Sequence, residues 1–407
     1  MEPLISEAGM VVLLGLAVLL SSNWRAINIR TVVGAFALQA GLAAFVLYTE
    51  LGKNALSGLT GGVQAVVNYG NLGTEFLLGD LAKYKLGFIF AVHVLPIIIF
   101  FSSLMAVLYY LGLMQKVVNT IGGGISRLLG TSRVESVCAT ANIFIGQTES
   151  PLVVRPYIAH LTRSELFAVM TGGTASIAGA VMAGYASMGV ELKYLIAASF
   201  MAAPGGLLMA KIIMPETEPP QIELEKIAFD ESDQPANVFD AAAGGATSGL
   251  SLAMNVGAML LAFIALIALL NGMVGGIGGL FGYPDITIEM LLGYVFSPLA
   301  FLLGVPAADV SFVASLIGEK LVLNEFVAYV DFVELKDSMS EKSQVVTTFA
   351  LCGFANLSAV AVLLGGLGGI VPERRHEIAE LDLKAVAGGT LSNIMSAALA
   401  GFFFSVI

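Results

Sequence analysis

The chain has 407 residues, 57% of them hydrophobic and only 12% charged, against about 25% charged in an ordinary soluble domain. Its net charge of −11 excludes the basic surface that nucleic-acid binding needs. Many apolar runs reach the roughly 20 residues that a bilayer-spanning helix requires, so the composition describes an all-α polytopic membrane protein with the lipid bilayer as its surroundings.

The first span is expected from Met10 to Ser21, after Glu2 and Glu7, with no positive segment of the kind that opens a cleavable signal. A short turn with Trp24, Arg25 and Arg30 follows, then a second span from Thr31 to Tyr48. Residues 51–86 are mixed in character and contain no spanning run. Leu86 to Met114 reads as a third span, interrupted by His93 and Pro96, and Gln115 to Glu135 as an interfacial helix.

Ser136 to His160 holds two apolar arms too short to span singly, separated by Gly146-Gln147-Thr148-Glu149-Ser150-Pro151. A Gly/Pro break of this kind predicts a re-entrant hairpin. A carboxylate placed there is destabilising in an apolar medium, so its presence asks for a function. Leu166 to Met188 is a span with Gly172, Gly173 and Gly179 inside it, and is expected to be discontinuous. Leu195 to Met214 is the next span. Pro215 to Asp240 is a hydrophilic loop with eight carboxylates and one lysine.

Ser248 to Leu270 is the sixth span, Gly275 to Gly282 a glycine-rich turn, and Ile286 to Val305 an interfacial helix. Pro306 to Phe332 contains Asn324-Glu325 and is a second broken apolar segment. Val345 to Ile370 is a span interrupted at Gly353 to Ser358, and Leu383 to Ile407 is the last span. All eight arginines fall in three regions, which the positive-inside rule places in the cytoplasm, so both termini are expected outside.

The order span, interfacial helix, broken hairpin with a carboxylate, broken span, span describes residues 86–214 and again 248–407. Opposite orientation of the two copies makes this an inverted repeat, a pattern of secondary transporters that bind solute at the repeat interface. Eight spans and two re-entrant hairpins result. Residues 1–135 are expected to form a scaffold, 136–214 half of a moving domain, 215–247 an acidic cytoplasmic loop, 248–305 further scaffold, and 306–407 the second half of the moving domain.

Glu149 and Glu325 accept hydrogen bonds, while Gln147 and Asn356 both donate and accept, which suits a neutral polyhydroxyl solute. Thr148, Asn324 and Ser358 can also satisfy freed backbone groups. Arg155 and Lys320 stand at the flanks of the cluster. Asn142, Ser176 and the carbonyls of Ile145 and Ile177 offer neutral oxygen to a small hard cation such as sodium. Proton coupling through Glu149 or Glu325 is the competing reading. A passive channel and an intramembrane enzyme are further alternatives. Against an enzyme, no serine or cysteine stands at motif spacing from His93, His160 or His376, and no phosphate loop indicates ATP use. Cys138 and Cys352 lie far apart and suggest neither metal nor disulfide.

At these residues the sequence resembles the concentrative nucleoside transporter family. The resemblance rests on residues 139–149 and 151–156, Ser176 to Gly179, Ala203-Pro204, Leu323 to Tyr329, and Ala350 to Ser358. Gly365-Gly366-Leu367 with Pro372, Arg374 and Arg375 agrees. It implies a sodium–nucleoside symporter, carrying solutes such as uridine, cytidine or adenosine, that assembles as a homotrimer and works as an elevator, and the near-minimal length without long soluble domains points to a bacterial inner membrane. Gln147, Thr148 and Glu149 would hold the nucleobase, Glu325 and Asn356 the ribose, and Val181 and Phe354 the apolar faces. Asn142, Ile145, Ser176 and Ile177 would bind sodium. The sequence departs from the family at Ala180, where a small polar residue is common, and at Ala359, where a ribose-binding serine is common. Ser358 stands one residue before that serine position.

Overall fold

The computed structural model describes residues 2–83, 85–219 and 235–406, and every regular element among them is helical. Three helices open the chain: α1 (Glu2–Leu19), α2 (Ile29–Tyr48) and α3 (Glu50–Leu78). Most of the mixed stretch after residue 51 is one helix of 29 residues, which is not among the helices apolar enough to cross a membrane. Thr49 caps it by accepting from the Gly52 amide. Its buried positions Gly52, Leu56, Val67, Gly70 and Thr74 recur at helical spacing, but small and polar residues dilute the hydropathy that marks a span.

The third expected span is bent: α4 (Phe90–His93) meets α5 (Leu95–Tyr110) at Val94, just before Pro96. Proline has no amide hydrogen and its ring crowds the preceding turn, which accounts for the bend. An amphipathic helix, α6 (Leu113–Leu129), leads to α7 (Arg133–Ala141), and the chain then leaves helical geometry until a 3-10 turn at Ser150–Val154 and the short α8 (Arg155–Ile158).

The next span is also broken, into α9 (Arg163–Ala175) and α10 (Gly179–Ser187). The interruption is Ser176-Ile177-Ala178. Gly172 and Gly173, expected to contribute to it, stay helical and serve close approach: a Cβ on Gly173 would lie 3.1 Å from Gln147 Cβ. The first half ends with α11 (Leu192–Ile213).

Much of the acidic run expected over residues 216–240 lies outside the described residues, and its end is already helix. α12 (Val238–Gly279) has 42 residues, about 63 Å at the usual rise. It therefore absorbs both the end of the expected loop and most of the expected glycine turn, which shrinks to Leu280–Gly282 with Gly282 at φ +86°. Its buried stripe Ala241, Gly245, Gly249, Ala253, Val256 and Leu260 runs along α5. A Cβ on Gly249 would come 2.8 Å from the Ile99 Cα, so small residues set the backbone approach of these two helices.

The remaining helices are α13 (Ile288–Leu302), α14 (Val310–Val322), α15 (Glu325–Leu335), α16 (Glu341–Leu351), α17 (Ser358–Ile370) and α18 (Arg375–Val406). The last begins at the arginine pair, eight residues before the expected start, because Arg374 joins Glu377 on its first turn. α9, α11 and α18 pack on one another, with α1 and α2 against α11 and α18. α9 and α11 are buried almost throughout, α9 together with its polar Ser164, Glu165, Thr171 and Thr174. Among the described residues six helical stretches are long and apolar enough to cross a membrane, while α1, α13 and α17 are shorter apolar helices.

Candidate functional site

The site is built where four helices stop inside the apolar interior. α7 starts with a capping box, Ser132 and Glu135 each bonding the other's backbone amide. It stops at Ala141 with Asn142 as its C-cap, and α9 stops at Ala175 with Ser176 as its C-cap. Both C-terminal ends carry partial negative charge from unpaired carbonyls. Asn142 and Ser176 are 1% and 2% exposed, and both lean on Gly172. Ser176 donates to its carbonyl at 3.2 Å, and a Cβ on Gly172 would lie 3.5 Å from Asn142 Nδ2. The Asn142 amide oxygen accepts from Ser150 at 2.7 Å and its nitrogen donates to the Cys138 carbonyl at 3.1 Å. The Gly179 amide donates to the Phe144 carbonyl at 3.0 Å, drawing the segments that contain Ile145 and Ile177 together. Two helix C-termini, an amide oxygen and a hydroxyl form a neutral, oxygen-rich environment suited to a small hard cation.

The tip of the first hairpin is a closed turn. The Glu149 carboxylate accepts from the Gly146 amide at 3.0 Å, and the Glu149 amide donates back to the Gly146 carbonyl at 3.0 Å. Glu149 and Thr148 are exposed, so this acid is not buried as its apolar neighbours in sequence suggest. It lines a cavity of about 730 Å³, together with Tyr109, Phe144, Ile145, Arg155 and Ala180. Gln147 sits behind it with its Oε1 buried and without a hydrogen-bond partner, an acceptor open to a ligand donor. Thr148 faces Gly366, where a Cβ would come 2.9 Å from the Thr148 Cγ2. That contact sets the first hairpin against α17.

The second hairpin turns at Leu323-Asn324. Asn324 caps α15 by accepting from the Val327 amide at 3.0 Å, which is the backbone role its side chain suggests. Glu325, 4% exposed, heads α15 and holds three elements. Its Oε1 accepts from the Tyr185 hydroxyl of α10 at 3.2 Å, and its Oε2 from the Asn356 amide at 2.8 Å. Asn356 in turn accepts from the Ser358 hydroxyl at 2.6 Å and the Ala359 amide at 3.0 Å, bonding the first turn of α17. Ser358 is thus turned toward Asn356. The Phe354 amide donates to the Ser176 carbonyl at 3.1 Å, joining the two broken spans directly. Val181, 1% exposed, lies one helical turn from Tyr185.

Two groupings therefore emerge, Asn142–Ser176 and Tyr185–Glu325–Asn356–Ser358, linked through the Phe354–Ser176 bond. The two carboxylates bond to different partners. Sequence reasoning missed Tyr185 and Asn393, because single polar residues inside helical segments carry no break signal. Lys320, expected at a flank, is 1% exposed and central: it donates to the Ala350 carbonyl at 2.8 Å and to Asn393 Oδ1 at 2.7 Å.

Residues 194–401 match the family described as "Na+ dependent nucleoside transporter C-terminus", residues 8–81 its N-terminus, and residues 91–191 a gate described as "Nucleoside recognition". The nucleoside permease NupC of Helicobacter pylori is 50% identical, over 99% of this chain and 98% of that protein. Human solute carrier family 28 member 3 is 39% identical, over 99% of this chain and 60% of that protein. CNTnw in an inward-facing substrate-bound state is 53% identical, with a TM-score of 0.96, over 100% of this chain and 99% of that one. A doubly substituted CNTnw in an outward-facing state superposes with a TM-score of 0.97 at 53% identity, over 100% of both chains.

Proposed function

The chain belongs to the Na+-dependent nucleoside transporter family, and on that premise we propose that it is a sodium–nucleoside symporter of a bacterial inner membrane. Relatives in outward- and inward-facing states support alternating access. The observation that carries the solute assignment is the buried Glu325, held by Tyr185 and Asn356 where the second hairpin meets both broken spans. A carboxylate at that point accepts hydroxyl protons from a ribose, and Asn356 supplies a donor and an acceptor beside it. Gln147, Thr148 and Glu149 approach the nucleobase from the first hairpin, with Gln147 offering its unpaired oxygen. Val181 and Phe354 cover the apolar faces. Ser358 acts through Asn356, whose orientation it holds.

Sodium is the coupling ion, bound by Asn142, Ser176 and the carbonyls of Ile145 and Ile177 at the C-terminal ends of α7 and α9. The ion draws the first hairpin onto the first broken span, and that segment contacts Phe354. Ordering one grouping thereby orders the other, which is how the ion favours solute binding. With uridine, cytidine or adenosine in place, a domain made of 136–214 and 306–407 crosses the membrane as an elevator against a scaffold of 1–135 and 248–305. Eight spans and two inverted re-entrant hairpins, both termini outside, and a homotrimer complete the reading.

Uptake of labelled uridine into proteoliposomes tests it. An inward sodium gradient is expected to drive accumulation above equilibrium. Uptake that ignores sodium and follows a proton gradient overturns the ion assignment, and uptake that only equilibrates overturns symport.

A further inference from the structure

Lys320 and Asn393 form a buried couple at which both broken spans end. Asn393, 2% exposed on α18, uses every polar atom of its amide. Its Oδ1 accepts from the Lys320 ammonium at 2.7 Å. Its Nδ2 donates to the Ala175 carbonyl, which ends α9, and at 2.9 Å to the Cys352 carbonyl, which follows α16. The ammonium also donates to the Ala350 carbonyl in the last turn of α16 at 2.8 Å. The carbonyls a helix leaves unpaired at its C-terminus are thus satisfied, in both broken spans, by one pair of side chains. A buried charge without partners would be strongly destabilising, and here the helix end itself is a partner. Gly353 takes part by omission, since a Cβ there would lie 2.2 Å from Asn393 Oδ1.

We propose that Lys320 and Asn393 are positioning residues that pin the unwound segments Ser176–Ala178 and Cys352–Leu357 to one another and transmit the effect of the ion to the solute grouping. This rests on the symport reading above only for what the two segments bind. Neither side chain needs to touch solute or ion. Asn393 holds the carbonyl that immediately precedes Ser176 and the one that immediately precedes Gly353. Ser176 in turn accepts from Phe354. A shift at one break therefore moves the other through three hydrogen bonds made by side chain and backbone.

Two measurements on the full-length purified protein test the couple. The decisive variant is Asn393→Asp, which keeps the acceptor for Lys320 and deletes the donations to Ala175 and Cys352. In ligand-free protein, hydrogen–deuterium exchange of peptides spanning 352–357 is expected to be about tenfold faster in this variant, as loss of a local restraint exposes the Phe354 amide. Unchanged exchange overturns the positioning role, whatever the protein transports. In uridine titrations at low and saturating sodium, the wild type is expected to gain about tenfold or more in affinity from the ion, and Asn393→Asp about threefold or less. Lys320→Arg is expected to retain more of that gain than Lys320→Met. A lower melting temperature with the full sodium effect retained marks a merely structural couple and overturns the proposal. A wild type that binds no uridine sinks the transport reading, and the exchange measurement still decides on the couple. Where Lys320→Met does not fold, Asn393→Asp and Lys320→Arg carry both measurements.

Discussion

Tyr185 donates its hydroxyl hydrogen to Oε1 of Glu325, 3.2 Å away and 140 residues later in the chain. The bond spans the two halves of the molecule. Tyr185 is fully buried against Phe326 and Tyr329, with ring centroids 4.6 and 4.4 Å away. Packing therefore fixes the hydroxyl before any solute arrives. Tyr185→Phe keeps the ring and deletes one hydrogen bond to a carboxylate, worth roughly 1–2 kcal/mol. The melting temperature is expected to fall, since the bond exists before solute binds, and uridine affinity by calorimetry is expected to fall as well, because Oε1 of Glu325 is no longer held in place.

Glu325→Gln changes an acceptor oxygen to a donor nitrogen at the point where the proposed ribose contact needs an acceptor. Sodium-driven uridine uptake is expected to drop at least about tenfold. Glu289→Gln is the control: Glu289 takes both oxygens to Asn271 Nδ2 at 3.0 Å, away from the site. Equal losses in the two variants would remove Glu325 from the solute site.

Asn142→Ala and Ser176→Ala each delete one oxygen at the helix ends proposed to hold the ion. The sodium concentration for half-maximal uptake is expected to rise about tenfold. Uridine affinity at saturating sodium should stay within about threefold of the wild type. A change in uridine affinity with unaltered sodium dependence would move these residues from the ion to the solute.

Gly353→Ala places a Cβ 2.2 Å from Asn393 Oδ1, while Gly365→Ala meets nothing within 4 Å. Forcing a methyl group into the first position costs about 1–3 kcal/mol. A melting temperature clearly lowered for Gly353→Ala and unmoved for Gly365→Ala is the expected pattern.

Lys211 and Glu135 form a buried pair at 2.7 Å, 7% and 2% exposed, that ties the base of the first hairpin to the end of α11. Ser164 accepts a further hydrogen bond from the ammonium at 2.9 Å. Lys211→Met strands the carboxylate, a loss of roughly 3–5 kcal/mol. Thermal unfolding is expected to start markedly earlier, and the double variant Lys211→Met, Glu135→Leu should recover part of it. No recovery would mean that the ammonium, rather than the pair, holds the hairpin base.

Membrane character, the helical class and the broken segments around Glu149, Glu325 and Asn356 are legible in the sequence, because each depends on local composition. Apolar runs must be helical in lipid, and polar or Gly/Pro-rich interruptions inside them cannot continue the helix unaided. The family resemblance rests on the same stretches. Where local chemistry is ambiguous, the sequence misleads. Gly172-Gly173 reads as a break but is packing surface, and the mixed stretch after residue 51 holds a 29-residue helix whose composition does not mark it as a span. α12 runs through the expected turn, and there its Gly275 and Gly278 lie against the returning stretch Tyr283 to Ile286. Only the tertiary structure decides which polar groups meet. Tyr185, Lys320 and Asn393 lie inside helices, where no interruption of the chain marks a role. Their partners lie 140, 30 to 73, and 41 to 218 residues away. Burial decides whether a carboxylate is exposed like Glu149 or enclosed like Glu325, and burial is a property of the packed helices rather than of the residues on either side.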